Sequence, residues 1–228
     1  MKKRSRRYVA SSEGISESKH YELKEALMGI SSQSKVKFDE SVELSMSLGV
    51  DPKQSSQTVR GTVKLPHGSG KDVQVLVFTE KPEEALKLGA DHAGLEKLIS
   101  KIKDGWTGFD VALSTTTAMK SVRSIARVLG PPGLMPTPKA GTVTDNLAEG
   151  INDVKSGRVE FKMDKTGAMA VLIGKKSFTV DQLLENANSA IQAVSSSKPE
   201  GFKGRFVKSA HVSSTMNPSY KLSPTIFN

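Results

Sequence analysis

Cysteine is absent from the 228 residues, which excludes disulfides and thiolate chemistry and suits a reducing compartment. Aromatic side chains make up only 5% of the chain, and no segment carries the paired aromatics of a single-strand stacking platform. No apolar run is long enough to span a bilayer, and the basic start "MKKRSRRY" leads into no apolar stretch of a secretory leader. The chain is therefore expected to be cytoplasmic, soluble and off the membrane. His20, His67, His92 and His211 are scattered without metal-ligand spacing, and there is no cysteine to complete a zinc set. The glycine-lysine pair in "HGSGKD" fails as a phosphate loop: Leu65 stands where its first glycine belongs, and Asp72 where Ser or Thr would hold magnesium. Gly68 and Gly70 read instead as turn residues. No nucleophile, base and orienting group come together. The expectation is a chain with no catalytic residue, no metal and no cofactor.

What is present is positive charge. Thirty-three Lys and Arg against 24 Asp and Glu give a net +9, which favours an anionic partner. Lys2, Lys3, Arg4, Arg6 and Arg7 form a basic N-terminal arm. Lys35, Lys37, Lys165, Lys175, Lys176, Lys203, Arg205 and Lys208 add further cations towards both chain ends. Nucleic acid offers the regular negative charge that such a spread would meet. With so few aromatics, a folded RNA read through backbone, 2′-hydroxyls and shape fits better than an unstacked single strand.

Hydrophobic patterning changes style twice. "VKFDESVELSMSLGV" alternates, with Val36, Phe38, Val42, Leu44, Met46, Leu48 and Val50 on one face, the mark of a half-buried strand. "QTVRGTVKL" repeats the alternation and is expected to pair with it antiparallel. Ahead of both, Leu23, Ala26, Leu27 and Ile30 share a helical face. From "VQVLVF" the chain turns to short apolar strands ("VQVLVF", "FDVALSTT") alternating with helical stretches ("PEEALKLGA", "GLEKLISKIKDG", "MKSVRSIARVLG", "NLAEGINDVKSG"), the pattern of a parallel sheet covered on both faces. Within it, "GPPGLMPTPKAG" predicts a stiff, shaped loop. Alternation resumes at "RVEFKMD" and "AMAVLIG". Val180, Leu183, Leu184, Ala187, Ile191 and Val194 then mark a helix, and "GRFVKSAHVSST" a last strand, while "SPTIFN" has no pattern and is expected to be loosely held. The fold class expected is α+β in two domains: a discontinuous antiparallel-sheet domain, residues 1–67 and 158–228, interrupted by an inserted α/β domain at 68–157.

"KFDESVELSMSLGVDPKQSSQTVRGTVKLPHGSGK", "DGWTGFDV", "RVLGPPGLMPTPKAGTVT", "SGRVEFKMDKTGA" and "KPEGFKGRFVKSAHVSSTM" together resemble the bacterial ribosomal protein L-one family, from about Arg4 to Leu222. The resemblance implies a protein that is a monomer within the large ribosomal subunit, with an inserted domain that is Rossmann-like. It further implies binding to 23S rRNA at the mobile stalk near the tRNA exit site, exit-site tRNA as a further partner, and translational repression through the leader of its own mRNA. Two rivals stay open at this level, a free mRNA-binding regulator and a nucleotide-using α/β enzyme. The family's RNA-contacting set falls on Lys37, Phe38, Ser41, Asp164, Lys165, Ser177, Thr215 and Met216, to which Arg4, Arg6, Arg7 and Asn217 are added as candidates. Phe38 also belongs to the core-facing series of its strand, and Met216 also reads as a gap-filling core residue. Three positions depart from the family pattern: Asn217 in place of a glycine, Pro132 in place of a basic residue, and Ala170 where some relatives carry histidine.

Overall fold

The computed structural model describes residues 4–16, 18–34, 36–52, 54, 57–199 and 202–227. It divides into two compact units, Met1–Gly70 with Val159–Asn228 and Lys71–Arg158. The first unit opens with helix α1 (Arg6–Ser12), capped by the Ser5 hydroxyl, which accepts from the Tyr8 amide, and burying none of its side chains. Helix α2 (Leu23–Ser32) buries Leu23, Ala26, Leu27 and Ile30, the face its periodicity predicts. Strand β1 (Ser41–Leu48) buries Val42, Leu44, Met46 and Leu48 and turns the intervening polar residues outward. The alternation extends further than the strand does. β1 starts only at Ser41, so Phe38 lies outside it and is 53% exposed, which corrects the core-facing parity assigned to it. Strand β2 (Arg60–Lys64) follows.

The second unit starts with β3 (Val75–Phe78), whose four residues are all fully buried, as expected of a strand covered on both faces. Helix α3 (Pro82–Lys87) takes Pro82 in its first turn, where its missing N–H costs nothing. Then come β4 (His92–Gly94), α4 (Glu96–Lys103), β5 (Val111–Ser114), α5 (Met119–Val122), α6 (Ala126–Leu129) and α7 (Leu147–Lys155). β4, β3 and β5 form a parallel sheet in that order. Leu76 and Phe78 join Ile99, Ile102, Ile125 and Leu129 in one cluster, while Val75 and Val77 join Ala85, Ile151 and Val154 in another. Hydrophobic patterning gives no sign of β4, which is three residues long and without β-branched side chains. The stretch expected as one helix over "MKSVRSIARVLG" is instead α5 and α6 separated by a 3₁₀ turn at Arg123–Ile125.

The chain then returns to the first unit as β6 (Arg158–Lys162), β7 (Ala168–Lys175), α8 (Val180–Ser196), β8 (Val207–Ser214) and β9 (Tyr220–Lys221). A four-stranded sheet runs β7-β1-β8-β9, with β1 antiparallel to both neighbours. β2 pairs with β6, not with β1 as its alternation suggested. Alternation identifies a strand but not its partner, and here β7 and β8 occupy both edges of β1. Helix α8 is fixed at its start by a capping box between Thr179 and Gln182, and it packs against α2, β2 and β7. Its buried Asn186 donates to the carbonyls of Ile173 at 2.8 Å and Gly68 at 3.0 Å and accepts from the His67 amide at 3.1 Å. That pins the exit from β2, where Gly68 and Gly70 both take positive φ. The C-terminal segment is not loose: Pro224–Phe227 forms a 3₁₀ turn whose Ile226 and Phe227 pack on the core. Among the described residues no helix is long and apolar enough to cross a membrane, and no group of three His, Asp or Glu side chains could hold a metal.

Candidate RNA interface

Antiparallel pairing brings the start of β1 beside the ends of β7 and β8, with Ser41 opposite Lys175 and Val42 opposite Ser214. Three distant pieces of chain therefore meet at one end of the sheet. At their centre lies Glu40, only 1% exposed. Its Oε2 takes the Lys176 ammonium at 3.1 Å, and its Oε1 accepts from the Met216 amide at 3.0 Å and the Ser214 hydroxyl at 3.3 Å. The Asn217 amide group donates to both oxygens, at 3.2 and 3.1 Å. Lys176 also donates to the Gln33 carbonyl at 3.0 Å, and its side chain is 7% exposed. A buried carboxylate so surrounded is stable only while every partner stays in place.

Around this buried pair the surface is mostly polar, with Val36 half-buried and two apolar side chains exposed. Thr215 and Ser41 are clamped together: the Thr215 hydroxyl accepts from the Ser41 amide at 3.0 Å and donates to the Ser41 carbonyl at 3.3 Å. Lys175 donates to the Ser41 hydroxyl at 2.9 Å. Ser177 is held by Asp39, which accepts from its amide at 3.1 Å and its hydroxyl at 2.7 Å. Val36, Phe38, Asp39, Glu40, Lys176 and Ser177 line a recess of about 290 Å³. Phe38 and Met216 stand out of this polar frame, 53% and 50% exposed. Lys37 beside them is exposed and has no ion-pair partner among the described residues. Met216 is thus no gap-filler of the core, and Thr215 carries its hydroxyl as a support of the tip.

The other candidates divide. Arg4 and Arg6 are exposed, and Arg4 lies 4.7 Å over the Tyr8 ring. Arg7 instead faces inward and donates to Asn217 Oδ1 at 2.5 Å and to the Met216 carbonyl at 2.7 Å. Asn217, 8% exposed, lies beneath the surface rather than on it. Lys2, Lys3 and Lys35 lie outside the described residues. Lys176, counted from the sequence among the surface cations, is buried against Glu40.

Asp164 and Lys165 are at the opposite end of the sheet, since β7 carries the chain about 24 Å from Ala168 to Lys175 at strand rise. Asp164 shapes the β6–β7 turn: its Oδ1 accepts from the Thr166 amide and hydroxyl, both at 2.7 Å, and from the Ala168 amide at 2.9 Å. The Thr166 hydroxyl first, and the Ala168 and Thr166 amides after it, hold the carboxyl below its ordinary 3.8. A depressed folded value means that the contribution to stability is complete above 3.8 and is lost as pH falls through the lowered one. We expect Thr166→Val to raise the Asp164 midpoint towards 3.8, read by NMR titration of the side-chain carboxyl; an unmoved midpoint would mean that the backbone amides alone hold it. Between the two ends the outer face of the sheet is floored by small polar side chains. A recess of about 430 Å³ there is lined by Ser45, Ser47, Lys162, Asp164, Ala170 and Ser209, among others. Ala170 and His211 flank Ser45 on either side. Burial, and then Lys221, lower the His211 value from 6.5, so this face gains no charge from it at neutral pH.

Sequence reasoning missed Glu40 and Asp39, the residues that assemble the tip. A signal for Glu40 was available: an acid in a slot that shares the parity of Val42, Leu44 and Met46 must be buried and paired, or misplaced.

Comparison with known proteins adds a second line. Residues 30–218 match the model of the Ribosomal protein L1p/L10e family. The chain is 49% identical over 224 residues to the large ribosomal subunit protein uL1 of Kosmotoga olearia, covering 97% of each. It is 46% identical to that of Thermus thermophilus over 227 residues, 98% of this chain and 99% of the relative. Against that of Flavobacterium johnsoniae it is 46% identical over 212 residues, 92% and 93% respectively.

Proposed function

The chain belongs to the Ribosomal protein L1p/L10e family, a family of structural ribosomal proteins and not of enzymes, and on that premise we propose that it grips 23S rRNA of the large subunit with the tip built around Glu40. The observation that carries this reading is the pair of exposed apolar side chains, Phe38 and Met216, standing in a clamped polar frame. A wide, shallow RNA minor groove offers sugar edges and 2′-hydroxyls to such a surface: the apolar groups pack on sugar and base, while the polar groups around them take the hydrogen bonds. Lys37 and the arm residues Arg4 and Arg6 supply phosphate contacts. The serine-lined outer face lets one RNA run from the tip to Asp164 and Lys165.

The finer assignments belong to the same proposal. The RNA is the mobile stalk near the tRNA exit site, where exit-site tRNA comes within reach, and the protein works in the cytoplasmic ribosome. A leader of the protein's own mRNA that presents the same fold would occupy the same tip and repress translation. Residues 1–67 with 158–228 act as the RNA-binding domain, and 68–157 as a Rossmann-like insert that holds no nucleotide. In the insert, Pro132 stands in an exposed loop and contributes no charge, so its phosphate contact is weaker than in relatives with a basic residue there.

Native protein is expected to sediment with large ribosomal subunits through a sucrose gradient, and the purified protein to protect one region of 23S rRNA when mixed with total cellular RNA. Sedimentation free of subunits but bound to messenger RNA would replace this reading with that of a free regulator. Stabilisation by ATP would replace it with an enzyme.

A further inference from the structure

Asn217 occupies a position where the sequence resemblance expects glycine. Glycine's conformational freedom is not what the site needs, because no non-glycine residue among those described has a positive φ. What the asparagine adds is a bridge. Inward, its Nδ2 donates to Glu40 and, at 2.9 Å, to the Ser214 hydroxyl. Outward, its Oδ1 accepts from Arg7, whose second Nη donates to the Met216 carbonyl. Helix α1, which carries Arg7, buries no side chain, and a helix of about two turns has no stability of its own in water. Besides Arg7, the Ser11–Ser34 hydrogen bond at 2.8 Å ties α1 to the rest of the first unit.

We propose that Asn217 is a positioning residue which, through Arg7, clasps the N-terminal arm to the RNA-facing tip. The proposal rests on the RNA reading of that tip. Arg7 acts through Asn217 and the Met216 carbonyl, each terminal nitrogen spending one of its N–H donors on a protein acceptor, and its role is to hold the arm and not to neutralise a phosphate. The clasp fixes the Met216 backbone from outside while Glu40 fixes it from inside. It also sets the direction in which exposed Arg4 and Arg6 leave the tip. A glycine at 217 can provide neither half of the bridge.

The test uses the full chain with 23S rRNA as probe, measuring affinity across a range of salt for Arg7→Ala, Asn217→Gly, the double variant, and Arg4→Ala with Arg6→Ala as comparison. Amide hydrogen exchange of residues 4–12 is followed in parallel. Arg7→Ala and Asn217→Gly should each weaken binding about 3- to 10-fold, the scale of one or two hydrogen bonds. The double should be no weaker than the worse single, and residues 6–12 should exchange faster in all three. The slope of log affinity against log salt should stay unchanged for Arg7→Ala, but flatten by about 0.7–0.9 for each phosphate that Arg4 and Arg6 no longer neutralise. A flatter slope for Arg7→Ala alone would show that Arg7 neutralises a phosphate directly, and additive losses in the double would show that Arg7 and Asn217 act independently; either result would overturn the clasp. If Met216→Ala also leaves affinity unchanged, the RNA reading of the tip is what fails. Exchange then decides the clasp by itself, unchanged protection of residues 6–12 in Asn217→Gly refuting it.

Discussion

Phe38→Ala and Met216→Ala are each expected to weaken binding to 23S rRNA roughly 5- to 150-fold, since a base stacked on an aromatic ring contributes about 1–3 kcal/mol and burial of a methionine a similar amount. The thermal midpoint should not move, because both side chains are already half in water in the free protein. That separation of binding from stability gives the experiment its force. A core methionine truncated to alanine costs about 2–5 kcal/mol of stability, which for a chain of this size lowers the midpoint by several degrees. Binding assays on the folded fraction, with melting curves of the same samples, therefore read the two roles independently. A lowered midpoint with normal binding would return Met216 to the core and remove the apolar centre of the interface. Thr215→Ala should behave differently from both, losing affinity together with some local order, because its hydroxyl ties both the N–H and the C=O of Ser41 to the end of β8.

The second large effect lies beneath the surface. Lys176→Met and Glu40→Gln should each cost about 3–5 kcal/mol of stability, because removing one member of a buried ion pair leaves the other without its counter-charge. In this chain that corresponds to a fall of roughly 6–20 °C in thermal midpoint. Glu40→Gln leaves the ammonium facing a neutral amide, with the Gln33 and Ser34 carbonyls as its other acceptors. The double variant Glu40→Gln with Lys176→Met removes both charges and should recover part of the loss, giving a coupling that neither single predicts. RNA affinity should fall in both singles, since the Met216 amide hangs on the carboxylate. Additive losses in the double would mean that the two charges do not depend on each other.

These two sites differ in how far the sequence exposed them. Phe38 and Met216 came from a family resemblance, while periodicity argued against Phe38, since a period of two has no way to say where a strand begins, and methionine's use as a core gap-filler argued against Met216. Ser41 starts β1 because Glu40 turns its carboxylate under the end of β8. That is a long-range choice, made by Ser214 and Asn217 more than 170 residues away. Helices α2 and α8 were legible because each carries a continuous apolar stripe that is buried along its length. The partner of β2 was not, because β6 comes from the far side of the insert and local pattern carries no record of it. Arg7 and Lys176 were read as charge available to RNA. Counting cations cannot separate those facing solvent from those facing a buried carboxylate or a carbonyl; the hydrogen-bond partners do.

The arrangement of the central strand has a consequence for when the interface comes into being. β1 is flanked on both sides by strands that the ribosome makes long after it, and the Ser41–Thr215 clamp closes across a sequence separation of 174 residues. At elongation rates of about 5–20 residues per second, β1 waits roughly 6–25 s with both edges unpaired before β7 is made, and one edge stays open for roughly 2–8 s more until β8 follows. If the tip is the RNA interface proposed above, no nascent chain holds RNA there before Asn217 has been synthesised. An assembly factor or a repression circuit that depends on the tip therefore counts finished proteins, not ongoing translation.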